Sequence, residues 1–134
     1  MNGCELMKKD TYREMIKAAF ACDLTRLTGV KHEFEYRFAA PERQWRADIA
    51  FPSVKVAIEI DGGLWTYGRH NRAASMLGDM EKGNGYAQRG WLVFHMPWEW
   101  IEGGRHDKSA ALLEQIAAAI VANKKGVVSD ADAD

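Results

Sequence analysis

The chain has 134 residues, 47% of them hydrophobic and 28% charged; this length supports one packed domain, is short for two, and its composition sets aside disordered and fibrous classes. No apolar run is long enough to cross a bilayer, and Lys8, Lys9, Asp10, Arg13, Glu14 and Lys17 interrupt the region where a secretory signal needs an apolar stretch, so a cytoplasmic location is expected. The formal net charge of −1 lacks the basic balance usual in nucleic-acid binders, but Asp107, Glu114, Asp130, Asp132 and Asp134 concentrate acid towards the C-terminus and leave a mildly basic body.

Lys8 to Cys22 places Met15, Ile16, Ala19 and Phe20 at helical spacing and predicts an amphipathic helix, with Thr25 to Lys31 as its exit. Phe34, Tyr36 and Phe38 alternate with charged residues, the period of a strand that ends before Pro41. Two further alternating runs, Trp45 to Ala50 and Val54 to Ile60, flank Phe51-Pro52-Ser53 and predict a hairpin with its turn there. After Gly62-Gly63 an uneven loop reaches about Asn71. A helix is expected from there to Arg89, then a short strand from Trp91 to His95. Asp107 to Asn123 carries Leu112, Leu113, Ile116 and Ile120 on one side of a closing helix. The expected organisation is one domain over residues 1–126 and a disordered acidic tail over 127–134. A meander followed by a crossover helix and another strand gives an α/β domain with a mixed sheet between helices. Cys4 and Cys22 lack the spacing of a zinc site or disulfide framework and read as free thiols.

The chemistry concentrates in the hairpin. A turn near Ser53 permits Asp48 and Glu59 to share one face of the paired strands. Two carboxylates meeting there repel unless a cation lies between them, and hard oxygen donors suit Mg²⁺ or Mn²⁺ bridging to a phosphate. Asp61 projects to the same face as Glu59, and Gly62-Gly63 lets the backbone approach a ligand closely. On spacing alone, solvated carboxylates on the polar face of a half-exposed hairpin are the commoner arrangement.

The runs Arg46-Ala47-Asp48-Ile49-Ala50-Phe51-Pro52 and Ala57-Ile58-Glu59-Ile60-Asp61-Gly62-Gly63-Leu64-Trp65 resemble the core of the PD-(D/E)xK nuclease superfamily, and more narrowly its very-short-patch-repair-like and phage endodeoxyribonuclease branch. The similarity continues through Asp79, Glu81, Lys82 and Gly90-Trp91-Leu92-Val93-Phe94. The resemblance implies a restriction-endonuclease-like α-β-β-β-α-β core and a Mg²⁺-dependent DNA endonuclease, with Mn²⁺ able to substitute, in phage or bacterial DNA repair or recombination. It implies that Asp48 and Glu59 bind the metal and that Ile60 offers its carbonyl. The superfamily's usual lysine is replaced by Asp61; in several branches the lysine moves to the next helix, where Lys82 follows Asp79 by one turn. Glu35 and Asp79 are additional candidates, with Glu14 behind Glu35.

Arg69, His70 and Arg72 are candidate phosphate contacts, with ordinary surface charge as the alternative, and His70 is also a candidate base. Trp65 and Tyr67 can stack on bases, although packing on the following helix is preferred for Trp65; Trp45, Trp91, Trp98 and Trp100 read as core or rim residues. Junctions, branches, mismatches and plain duplex all remain open as substrates. A homodimer using an exposed Trp98 to Ile101 strip suits junction cleavage. The other open reading is a catalytically degenerate module that keeps the nuclease fold and binds DNA or protein without cutting.

Overall fold

The computed structural model describes residues 2–61, 72–102 and 106–133. Their elements run α1 (Asn2–Thr28), β1 (Glu33–Tyr36), β2 (Ala47–Phe51), β3 (Val56–Asp61), α2 (Arg72–Gln88), β4 (Leu92–Pro97), α3 (Trp98–Glu102) and α4 (His106–Ala133). The sheet order is β1-β2-β3-β4, antiparallel from β1 to β3 and parallel between β3 and β4. The crossover through α2 makes that parallel pair possible. The protein is therefore α/β, with a four-stranded mixed sheet flanked by helices.

Alternation along the strands divides the sheet between two cores. One face sends Ile49, Phe51, Val56, Ile58, Ile60 and Met96 against Phe20, Leu24, Leu112, Ile116 and Ile120 of α1 and α4. The other is built from small residues, with Ala50 and Ala57 under Phe38, Tyr86 and the partly buried Trp45, Trp91 and Val93. Alanines on this face let α2 approach closely. Gly85 carries the same logic further, because a Cβ there would sit 2.5 Å from Cζ3 of Trp45.

Several boundaries differ from those expected. Helix α1 runs well past Lys8–Cys22 at both ends, and its inward stripe is Lys17, Phe20, Ala21, Leu24 and Thr28. Met15, by contrast, is 64% exposed, and Ala19 also faces outward. The i, i+3, i+4 pattern was read one residue too early because the longer helix docks along a stripe that includes a lysine. Strand β1 stops at Tyr36, and Phe38 instead enters a turn where its ring stacks on Tyr86 at 3.7 Å. The β2–β3 turn occupies residues 52–55, with Phe51 still in the strand and paired with Val56. Strand β4 is Leu92–Pro97 rather than Trp91 to His95.

Helix α3 was not anticipated, and Trp98, Trp100 and Ile101 pack against the larger core rather than forming an exposed strip. Arg13 of α1 lies over the Trp98 ring and pairs with Glu102, fixing α3 to α1. Helix α4 continues past Asn123, so residues 127–133, expected as a frayed tail, are helical in backbone. Asn123 donates to Val54 O and Lys124 to Thr28 O, tying α4 to the hairpin turn and to the end of α1. Among the described residues no helix is long and apolar enough to cross a membrane.

Candidate active site

The antiparallel register Ala50↔Ala57, Ile49↔Ile58, carried one step further, sets Asp48 across from Glu59 on the α2 side of the sheet. The two carboxylates thus take the place of the alanine pair where the small-residue face opens towards the end of β3. Asp48 is fixed by its own neighbour strand: Oδ2 accepts the Ile60 N–H at 2.6 Å. Its carboxyl is pushed up to about 6, chiefly by burial, with the charges of Glu59 and Glu35 adding to the effect. The Ile60 hydrogen bond and Lys17 oppose that rise.

Glu59 is engaged from α2. Lys82 Nζ donates to Oε1 at 2.8 Å and the Tyr86 hydroxyl donates to Oε2 at 2.5 Å. Lys82 and Tyr86 are four residues apart, so both side chains leave the same face of the helix. Lys82 also donates to the Arg46 carbonyl at 2.6 Å, which locks α2 to the start of β2. Burial and the Glu59 carboxylate push the Tyr86 phenol far above its ordinary value, so it remains a hydrogen-bond donor.

The expected residues are disposed as follows. Asp61 shares the Glu59 face and lies 3.6 Å from His95 Nδ1, which comes from β4. That pairing raises the His95 value above the ordinary imidazole range, against the opposing effect of burial. Asp79 lines the same cavity as Glu59, Asp61 and Lys82. Glu35 is reached by Lys17 Nζ at 2.9 Å, and its charge acts on Asp48. Glu14 is exposed on α1. Arg69, His70, Gly62, Gly63, Trp65 and Tyr67 lie outside the described residues, as does the side chain of Arg72 at the start of α2.

Three participants were missed. Tyr86 was readable in principle, since Asp79, Lys82 and Tyr86 repeat at i, i+3 and i+7 on one helix face. His95 required the parallel register, which pairs it with Glu59. Lys17 is only 5% exposed although it is a lysine; its ammonium reaches Glu35 and lies over the Phe34 ring. No family model, curated protein or solved structure matches the chain.

Asp48 and Glu59 offer carboxylate oxygens from adjacent strands, the donor type a hard divalent cation takes, and both Glu59 oxygens also accept from Lys82 and Tyr86. Among the described residues no group of three or more His, Cys, Asp and Glu side chains is placed to hold an ion. The remaining positions would belong to solvent and substrate, as is usual for Mg²⁺.

Proposed function

We propose that this chain is a Mg²⁺-dependent DNA endonuclease of the restriction-endonuclease-like fold, acting at Asp48 and Glu59 and located in the cytoplasm. The observation that carries the reading is the meeting of these two carboxylates across β2 and β3, with Lys82 of α2 held on Glu59. An ion bound by Asp48, Glu59 and the Ile60 carbonyl would supply Lewis-acid assistance and water activation for phosphodiester hydrolysis, with Mn²⁺ able to replace Mg²⁺. The element order α-β-β-β-α-β and the crossover to a parallel β4 support the fold assignment.

The side chains divide the remaining work. Lys82 has three N–H donors; Glu59 and the Arg46 carbonyl take two of them, so the ammonium is oriented and its third donor serves a substrate phosphate or the attacking water. Lys82 thereby fills the position that Asp61 leaves without a lysine. Tyr86 holds the second oxygen of Glu59 and fixes the carboxylate plane. Asp61 orients His95 at the rim. Arg69, His70 and Arg72 are the proposed contacts to DNA phosphates.

A second reading has an observation of its own: both oxygens of Glu59 are already engaged by protein donors, as in a nuclease-fold module that binds DNA or protein without cutting. Calorimetric titration with Mn²⁺ separates the two. The nuclease reading expects saturable binding that Asp48→Asn removes; no binding, or binding unchanged in the variant, favours the degenerate module.

A further inference from the structure

Between α2 and the β3–β4 edge lies a cavity of about 370 Å³, at the small end of the roughly 300–1,000 Å³ common for small-molecule sites. Its lining is graded along the strands. Asp61 and Asp79 stand at the end where β3 finishes, whereas Trp91 and Val93 form an apolar wall further along, opposite Gly83 and Ala87 of α2. Glu59 belongs both to this wall and to the carboxylate pair described above.

Gly83 gives a reason to regard the space as kept open. A Cβ there meets no atom within 4 Å, so packing does not require glycine, unlike at Gly85. Glycine in a helix interior weakens the helix relative to alanine. Gly83 lines the cavity and brings no side chain to that wall. The charges also select an occupant. Three carboxylates, of Glu59, Asp61 and Asp79, line the cavity with Lys82 and His95, and Lys82 is paired with Glu59 and His95 with Asp61, so a phosphate is favoured at the Lys82 edge and not deep in the cavity. A flat, neutral ring carrying N–H donors fits, with its face on Trp91 and Val93 and its edge towards the carboxylates.

We infer, building on the nuclease reading, that this cavity receives one unpaired nucleobase of the DNA whose backbone lies at Asp48 and Glu59, so that the preferred substrate carries an unpaired nucleotide beside the bond that is cut. Because Glu59 borders both places, the base and phosphate of one nucleotide reach them together. Withdrawing a base from a duplex is least costly when it has no partner. Carboxylate acceptors favour bases with an exocyclic amino group, adenine, cytosine and guanine, over thymine.

The test compares a continuous duplex with the same duplex carrying one unpaired adenine. Binding is followed by fluorescence anisotropy with Ca²⁺ in place of Mg²⁺, and cleavage is measured in parallel with Mg²⁺. The unpaired adenine is expected to improve binding by about tenfold to a hundredfold, the effect of one base–aromatic stack, and to improve cleavage as well. Gly83→Leu and Ala87→Leu, which fill the cavity, are expected to bring the binding ratio close to one while circular dichroism shows a folded protein. Equal binding of the two duplexes by the wild type, or a ratio unchanged in both filled variants, overturns the inference and leaves the nuclease reading standing. Failure to cut either duplex with Mg²⁺ or Mn²⁺ overturns the nuclease reading instead, and the binding ratio alone then decides whether the cavity takes a base.

Discussion

Replacing Asp48 by asparagine removes a charge that the fold retains at a cost, and the size of that cost follows from the site. The carboxyl rises from 3.8 to about 6 on folding, and at about 1.4 kcal/mol per pH unit this amounts to about 3 kcal/mol. The sign is set by the direction of the shift. Between these two values the folded state binds more protons than the unfolded state, so stability falls as pH rises from about 4 to about 6 and stays low above that. Asparagine carries no charge, and its side-chain oxygen can still accept the Ile60 N–H that Asp48 now accepts. Asp48→Asn is therefore expected to be more stable than the wild type at pH 8 in EDTA by up to about 3 kcal/mol, with most of the difference gone by pH 4. For a chain of 134 residues this corresponds to a melting temperature roughly 10 °C higher. Urea denaturation at both pH values, with chelator, measures it. Adding Mg²⁺ or Mn²⁺ should stabilise the wild type, by about 2.7 kcal/mol at a hundredfold excess over Kd, and leave the variant unmoved. A variant no more stable at pH 8, or equally stabilised at pH 4, refutes the reasoning.

Other substitutions test other contacts. Lys82→Met removes the donor shared by Glu59 and the Arg46 carbonyl and is expected to lower the cleavage rate by roughly a hundredfold or more, measured under single-turnover conditions. Tyr86→Phe keeps the ring stacked on Phe38 but deletes the hydroxyl bonded to Glu59; a loss of about 1–3 kcal/mol in urea denaturation is expected. Gly85→Ala forces a methyl against Trp45 and should cost about 1–3 kcal/mol, whereas Gly78→Ala, where the added Cβ meets nothing, should not destabilise.

The hairpin was the most legible part of the chain. Alternation assigns each residue to a face of its own strand, but whether Asp48 and Glu59 share a face depends on the parity of the pairing register, which the turn sets. A turn at residues 51–53 would set Ala50 opposite Val54 and put the two carboxylates on opposite faces; the turn at 52–55, with Phe51 paired to Val56, sets the register that brings them together. Lys82 was within reach through the resemblance, since in several branches of the superfamily the lysine lies on the next helix; the structure sets its ammonium on Glu59. Tyr86 shares a helix face with Lys82 and was readable from that spacing, but the contributions of His95 and Lys17 depend on how elements dock, which periodicity within one element does not encode. His95 is useful only because β4 lies parallel to β3 in a register that sets it beside Glu59. Lys17 sits on a helix stripe that looks like a break in the apolar pattern until Glu35, at a left-handed φ of 49°, brings its carboxylate to the ammonium. The C-terminal end of α1 was misplaced for a similar reason, since Lys124 of α4 holds the Thr28 carbonyl, and short helices such as α3 gain little from propensity alone.

The most direct test of the central claim is cleavage of a supercoiled plasmid by purified protein, with Mg²⁺, with Mn²⁺ and with EDTA, comparing the wild type with Glu59→Gln. Nicked or linear DNA should form with either metal, not with EDTA, and not with the variant, which should still fold. Cleavage that persists in EDTA or in folded Glu59→Gln, or its complete absence from the wild type with both metals, would contradict the account.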